Sequence, residues 1–261
     1  GRDGGLKARL VSMTARGAYA LATRCAGLVI FQNTDDRDEL LARGALSPRT
    51  ATAVVDGSGV DMERFAQAPV PDGAVVFLMV ARLIRDKGVH DFVAATRRVR
   101  AAAPQARFVL IGAPDANPNA VAETELETWR REGVIEIRGQ VADPRQAFAD
   151  CHVFVLPSYY REGVPRTNLE ALATGRAVIT CDTPGCRETV RDGVNGLLVP
   201  PRDPVALAQA MLALARDPAR VRAMGQASRL LCAERFELGT VTRATLSAMD
   251  HAEMSQGRTD A

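Results

Sequence analysis

His152-Val153-Phe154-Val155-Leu156-Pro157 leads, after Ser158-Tyr159-Tyr160, into Arg161-Glu162-Gly163-Val164-Pro165-Arg166-Thr167-Asn168-Leu169-Glu170-Ala171-Leu172. The first stretch is a short apolar run closed by proline, the pattern of a strand covered on both faces. The second opens in turn residues and continues in helix formers. Pro165 suits the first helical position, where its missing N–H costs nothing. Read this way, Glu162 falls in a strand-to-helix loop and Glu170 in the opening turns of the helix, and both carboxylates face one crevice. Open α/β sheets bind ligands beyond the carboxyl ends of their strands, and the free N–H groups and positive dipole end of a helix suit a diphosphate. The stretch therefore points to a nucleotide-sugar site.

Outward from it, apolar strands and amphipathic helices alternate. Strands are predicted over Val75–Val80, Phe108–Gly112, Val134–Arg138, Val153–Leu156, Ala177–Cys181 and Gly196–Val199, and helices over Gly88–Ala102, Ala122–Glu132, Arg145–Asp150 and Arg166–Thr174, with a helical turn near Arg187. This alternation is the signature of a doubly wound, Rossmann-like α/β domain with a parallel sheet. Helices follow at Pro204–Ala215, Pro218–Ala233 and Leu238–Met249, and the polar tail from Ser255 to Ala261 is expected to fray.

Before the alternation come helix formers from Leu6 to Arg24, a strand-like Gly27–Phe31, an acidic helix start capped by Thr34, and a β-branched Thr52–Val55. Lys7, Arg9, Arg16 and Arg24 make the first helix basic. It either rests on an anionic membrane surface or presents a solvated face on a packed helix. Asp36-Arg37-Asp38 resembles a metal-binding D-x-D but sits at a helix start, where carboxylates favour the dipole. The polar Gln67–Gly73 reads as a linker. The resulting division is residues 1–66, 67–236 and 237–261.

The 261 residues are 47% hydrophobic and 25% charged, enough to bury a core, and a formal charge of +2 with 5% aromatics argues against a nucleic-acid partner. Five scattered cysteines form no C-x-x-C, so neither a disulfide framework nor a zinc site is indicated and a reducing cytoplasm fits. No run approaches a membrane span. His90, His152 and His251 lack metal-ligand spacing, and no G-x-S-x-G, Walker lysine motif or G-x-G-x-x-G is present. The chain opens on Gly1 rather than Met, which reads as a piece of a longer polypeptide.

Between the first strand of the alternation and its helix, Ala81-Arg82-Leu83-Ile84-Arg85-Asp86-Lys87-Gly88 projects two cations from the same sheet edge as Glu162. Arg82 can grip diphosphate oxygens bidentately and Lys87 acts as a point charge, and both can stabilise charge on a leaving nucleoside diphosphate. Backbone around Val141, in Gly139-Gln140-Val141, can meet a base edge, while Asp143 and Arg145 are turn and helix-start residues. The turns at Thr183-Pro184-Gly185 and Gly193-Val194-Asn195-Gly196 read as structural, with Gly185 and Arg187 close enough to the crevice to remain contacts.

These features together resemble the retaining glycosyltransferases of the GT-B architecture, in their group-1 or family-4 branch. The resemblance rests on Glu162, seven residues, then Glu170, with the Arg82–Lys87 loop, Leu156-Pro157-Ser158, Pro184-Gly185 and Gly193–Pro200 in order. It implies that Arg82 and Lys87 hold the donor diphosphate, Glu170 bonds the ribose hydroxyls and Glu162 touches the transferred sugar. Amides of Gly163, Val164, Pro165, Arg166 and Thr167 would complete these contacts. It further implies a nucleotide-sugar donor, a lipid-linked or polysaccharide acceptor in bacterial surface-glycan assembly, and no metal or other cofactor; Val29-Ile30-Phe31-Gln32-Asn33 with Thr34-Asp35-Asp36-Arg37-Asp38, and Gly57-Ser58-Gly59-Val60-Asp61, resemble members that extend lipid-linked oligosaccharides with N-acetylhexosamines, which implies UDP as the nucleotide. A cytoplasmic place, with peripheral inner-membrane attachment left open, would follow, and residues 1–66 would be the end of an acceptor-side domain. Two alternatives stay open: a non-catalytic nucleotide-sugar-binding module, and a GT-B sugar-nucleotide epimerase, for which acid and base residues are not evident.

Overall fold

The structure is a computed structural model that describes residues 5–257, with side chains from 13 to 254, and the statements below concern those residues. The chain opens with helix α1 (Gly5–Cys25), strand β1 (Val29–Phe31), helix α2 (Thr34–Ala42) and strand β2 (Thr52–Val54). β1 and β2 pair in parallel, Val29 opposite Thr52 and Phe31 opposite Val54. At the end of α1 Thr23 Oγ1 donates to the Ala45 carbonyl, while Met13, Tyr19 and Leu21 are exposed. Of its basic residues Arg16 and Arg24 are exposed, and the side chains of Lys7 and Arg9 lie outside the described residues.

Two predicted caps shift by one residue. Asn33, not Thr34, caps α2: its Oδ1 accepts from the Asp36 N–H at 2.8 Å and its backbone is extended at φ −155°. Both residue types cap well, and the choice falls to whichever carries non-helical backbone at the boundary.

The second unit runs β3 (Val76–Val80), α3 (Val89–Ala102), β4 (Arg107–Ile111), α4 (Glu123–Glu132), β5 (Glu136–Ile137), α5 (Arg145–Asp150), β6 (Val153–Leu156), α6 (Arg166–Thr174), β7 (Ala177–Cys181), β8 (Gly196–Val199), α7 (Pro204–Ala215) and α8 (Pro218–Leu231). A π-helical turn, Cys232–Phe236, leads to α9 (Leu238–Gly257). The tail expected to fray at Ser255 is helical as far as Gly257, and residues 258–261 lie outside the described residues. Pro165 is the N-cap of α6 rather than its first residue, and its carbonyl accepts the Asn168 N–H at 3.1 Å.

All neighbouring strands of the main sheet are parallel, in the order β5-β4-β3-β6-β7-β8. β6 and β7 are buried along their whole length, and Phe77, Leu78 and Met79 of β3 are sealed, because helices cover both faces. β5, at the sheet edge, pairs only with β4 and shrinks to two residues. Connections from β3 run one way through β4 and β5 and those from β6 the other way, so the right-handed crossovers place their helices on opposite faces. The sheet reverses its winding between β3 and β6. That reversal leaves a crevice at their carboxyl ends, the place where such sheets bind ligands.

Arg176, just before β7, is fully buried and anchors the linker to the sheet. Its guanidinium donates to the carbonyls of Phe148, Ala68, Pro69 and Ala149 at 2.8 to 3.1 Å. The chain crosses between the units twice: the Val60 N–H donates to the Phe236 carbonyl and the Leu238 N–H to the Val60 carbonyl. α9 then returns toward the first unit, where Ala252 faces Arg24 and Thr50 around one depression.

Candidate functional site

The loop after β3 and the loop after β6 meet at the reversal point. In the first, a turn of 3₁₀-helix, Arg85–Lys87, ends at Gly88, whose φ of +77° turns the chain into α3. A Cβ on Gly88 would fall 2.1 Å from the Pro157 carbonyl oxygen, so a side chain there would force the loops apart. The Asp86 carbonyl accepts the N–H groups of both Tyr159 and Tyr160 at 2.9 Å, which ties the two loops together.

This scaffold brings Lys87 and Glu162 into contact. Lys87 Nζ lies 2.5 Å from Glu162 Oε2, with side chains 12% and 14% exposed, and Ser158 Oγ donates to Glu162 Oε1 at 2.8 Å. Tyr160 stands beside both predicted cations: its ring centre is 5.4 Å from Lys87 Nζ and 5.7 Å from the Arg82 guanidinium carbon. Arg82 also reaches Asp115 Oδ2 at 3.4 Å. Tyr160 was not singled out from the sequence, although two adjacent tyrosines at a strand's carboxyl end, in a chain with only three, were a usable signal.

A cleft of about 530 Å³ opens beside this group, lined by Arg82, Gly112, Asp115, Gln140, Val141 and Thr167. A second depression of about 450 Å³ shares Pro144 with it and holds Arg64, Arg166 and Glu170. Glu162 and Glu170 therefore have separate neighbours: the first sits on Lys87 and Ser158, the second beside Arg166 on the flank of α6. Burial pushes the Glu170 carboxyl up to about 7, against the pull of Arg166 and Arg64.

The expected row of amides from Gly163 to Thr167 is interrupted. Pro165 has no N–H, and the Val164 N–H is taken by Gln32 Oε1 at 2.9 Å. Among the described residues the N–H groups of Gly163, Arg166 and Thr167 have no partner, so the α6 start still offers adjacent donors. Gln32 enters the sequence reading only as part of the Val29–Asn33 stretch, and nothing local ties it to the Glu162 loop, because its partner lies in another unit.

Arg187 is drawn away from the crevice: it pairs with Asp182 at 2.7 Å and with Asp35 of α2 at 3.0 Å. Arg161 likewise holds Asp36, at 3.0 Å, and Glu39. The acidic start of α2 thus serves as a docking point for the second unit, in addition to favouring its own dipole. The turn at Asn195 is structural, since its side chain bonds the Arg191 N–H and the Thr189 carbonyl. Asp143 accepts from the Arg145 N–H at the start of α5, the turn role read from the sequence. No group of three metal-ligating side chains occurs among the described residues, and none of their helices is long and apolar enough to cross a membrane.

Residues 74–217, more than half of the chain, match the family described as Glycosyl transferases group 1. The chain belongs to this family. Among curated relatives of this group 1 member, the N,N'-diacetylbacillosaminyl-diphospho-undecaprenol alpha-1,3-N-acetylgalactosaminyltransferase of Campylobacter jejuni is 28% identical over 82% of the chain and 58% of its own length. The alpha-maltose-1-phosphate synthase of Mycolicibacterium smegmatis is 33% identical over 86% of the chain and 63% of its own length. The chain thus spans about three fifths of these relatives. The crystal structure of Anabaena HepE in complex with UDP superposes with a TM-score of 0.80 over 90% of this chain and 67% of that one, at 23% identity, which establishes a shared fold. The doubly wound sheet is therefore that of the GT-B glycosyltransferases.

Proposed function

We propose that this group 1 chain carries the donor site of a retaining, metal-independent glycosyltransferase of the family-4 type, which moves a sugar from a UDP-linked donor to a lipid-linked or polysaccharide acceptor. The observation that carries the reading is the Lys87–Glu162 pair at the sheet's reversal point, next to the free N–H groups that open α6. Lys87, Arg82 and those amides converge on a place where a diphosphate can be held without a cation of its own.

In this reading the nucleoside occupies the cleft at Val141, with its ribose hydroxyls donating to Glu170. The diphosphate lies between Arg82, Lys87 and the amides of Arg166 and Thr167. The sugar rests on Glu162 and Gly163. As the glycosidic bond breaks, negative charge grows on the leaving β-phosphate oxygen and positive charge on the anomeric carbon. Lys87, Arg82 and the helix start stabilise the first. Glu162 supports the second and positions the sugar. The alpha-1,3-N-acetylgalactosaminyltransferase among the relatives supports an N-acetylhexosamine donor and a lipid-linked acceptor. The UDP bound to HepE supports the nucleotide. A cytoplasmic site of action, at or near the inner membrane, fits such an acceptor.

Calorimetric titration with UDP and GDP tests the reading. Saturable UDP binding that weakens about five- to twentyfold in Arg82→Ala and in Lys87→Ala is expected, as each removes a charge-assisted hydrogen bond. Undisturbed binding in both variants, or no binding to the unaltered chain, would overturn it.

A further inference from the structure

Gln32 follows β1, in the unit that the donor site does not otherwise use, yet its side chain enters the loop between Glu162 and α6. Its Oε1 accepts from the Val164 N–H at 2.9 Å, and that donor fixes which end of the amide is oxygen. The side chain lies flat along Gly163: a Cβ there would fall 1.9 Å from Gln32 Oε1 and 2.7 Å from its Cδ. Any side chain at position 163 would expel Gln32. Val164 is sealed on its other side, being 6% exposed, and a Cβ on Gly57 would come 2.8 Å from Val164 Cβ. The backbone of Gly163 and Val164 is thus held from the first unit while Glu162 is held from the second by Lys87 and Ser158.

We infer that Gln32 is a positioning residue for the transferred sugar, fixing the Glu162–Val164 loop from the opposite unit; the inference rests on the donor-site reading above. Holding the Val164 N–H removes it from the donors open to ligand and fixes the plane of the Gly163–Val164 peptide. Gln32 Nε2 has no partner among the described residues and remains a hydrogen-bond donor beside that peptide. Val141 and Glu170, assigned to the nucleotide end, line depressions whose walls do not include Gln32. Gln32 therefore acts on the affinity gained from the sugar and leaves the affinity for the nucleotide alone.

The test compares UDP with UDP-hexoses and UDP-N-acetylhexosamines by calorimetry, on the unaltered chain, Gln32→Met and Gln32→Glu. Met keeps the bulk and loses the acceptor; Glu keeps the acceptor. Gln32→Met is expected to bind UDP within about twofold of the unaltered chain and to lose about five- to tenfold of the extra affinity for the sugar conjugate. Gln32→Glu is expected to retain the larger part of it. Equal loss for UDP and its conjugates, or no loss for either, would overturn the role of Gln32 while leaving the donor site standing. Failure of the unaltered chain to bind UDP would overturn both. Amide exchange provides an arm that needs no variant: without ligand the Val164 amide should be protected and those of Arg166 and Thr167 open. Fast exchange at Val164 would contradict the inference.

Discussion

Lys87 Nζ stands 2.5 Å from Glu162 Oε2, so the cation proposed to hold the donor phosphate is already neutralised by the carboxylate proposed to face the sugar. With the pair seven-eighths buried, water screens it little, and an incoming phosphate must compete with Glu162 for the ammonium. Glu162→Gln should consequently raise UDP affinity, by about two- to tenfold, while the extra affinity gained from the sugar of a UDP conjugate falls. Calorimetry on this variant decides the sign; weaker UDP binding would mean that the pair helps to shape the phosphate site.

Glu170 sets a pH dependence whose direction follows from burial. Its carboxyl titrates near 7 in the folded chain against an ordinary value of 4.5. Between those values the folded chain binds the extra proton, so the part of the stability that Glu170 contributes is fully present below pH 4.5, is lost as pH rises toward 7 and then levels. The loss is on the order of 3 kcal/mol at most, and Glu170→Gln should abolish it. Donor binding has the opposite slope: ribose hydroxyls donate to the ionised form, so UDP affinity should rise between pH 6 and 8. Denaturant titrations from pH 4.5 to 8 and calorimetry from pH 6 to 8 check the two slopes, and a flat UDP profile would count against the ribose contact.

Arg176 should matter to stability far more than its distance from the crevice suggests. Replacing it with Met leaves four carbonyls without their donor, and a loss of about 2 to 5 kcal/mol is expected. Because two of those carbonyls belong to Ala68 and Pro69, limited proteolysis between the units should quicken in the variant. An unchanged melting temperature would show that the linker finds other donors.

Metal removal should change nothing at the donor site. Chelation with EDTA is expected to leave UDP affinity within about twofold, since Arg82, Lys87 and the α6 amides supply the positive potential. A larger loss would place a divalent cation on the diphosphate.

The strands were legible because burial on both faces demands continuous apolar runs, as in Val153–Leu156 and Ala177–Cys181, and these need no knowledge of their neighbours. That Glu162, Arg82 and Lys87 lie at one sheet edge was legible for a related reason: strand-to-helix loops of such a sheet point to one edge whatever their order. The contact of Gln32 with the Glu162 loop and the pairing of Arg161 and Arg187 with α2 were not. Their partners are set by how two units meet, which local propensity and periodicity do not encode. Where two residues had equal local claims, as Asn33 and Thr34 did for one cap, a one-residue error was the natural outcome.

The double passage of the chain at Val60 and Phe236 constrains how the units can move. Two covalent crossings, laced to each other by hydrogen bonds to Val60, behave as a pin joint: they permit rotation about a line through that point and resist pulling apart or sliding. Any opening of the crevice must then be a swing, with amplitude growing with distance from the pin. Such a swing would have to break the contacts that Gln32 makes with Val164 and that the acidic face of α2 makes with Arg161 and Arg187.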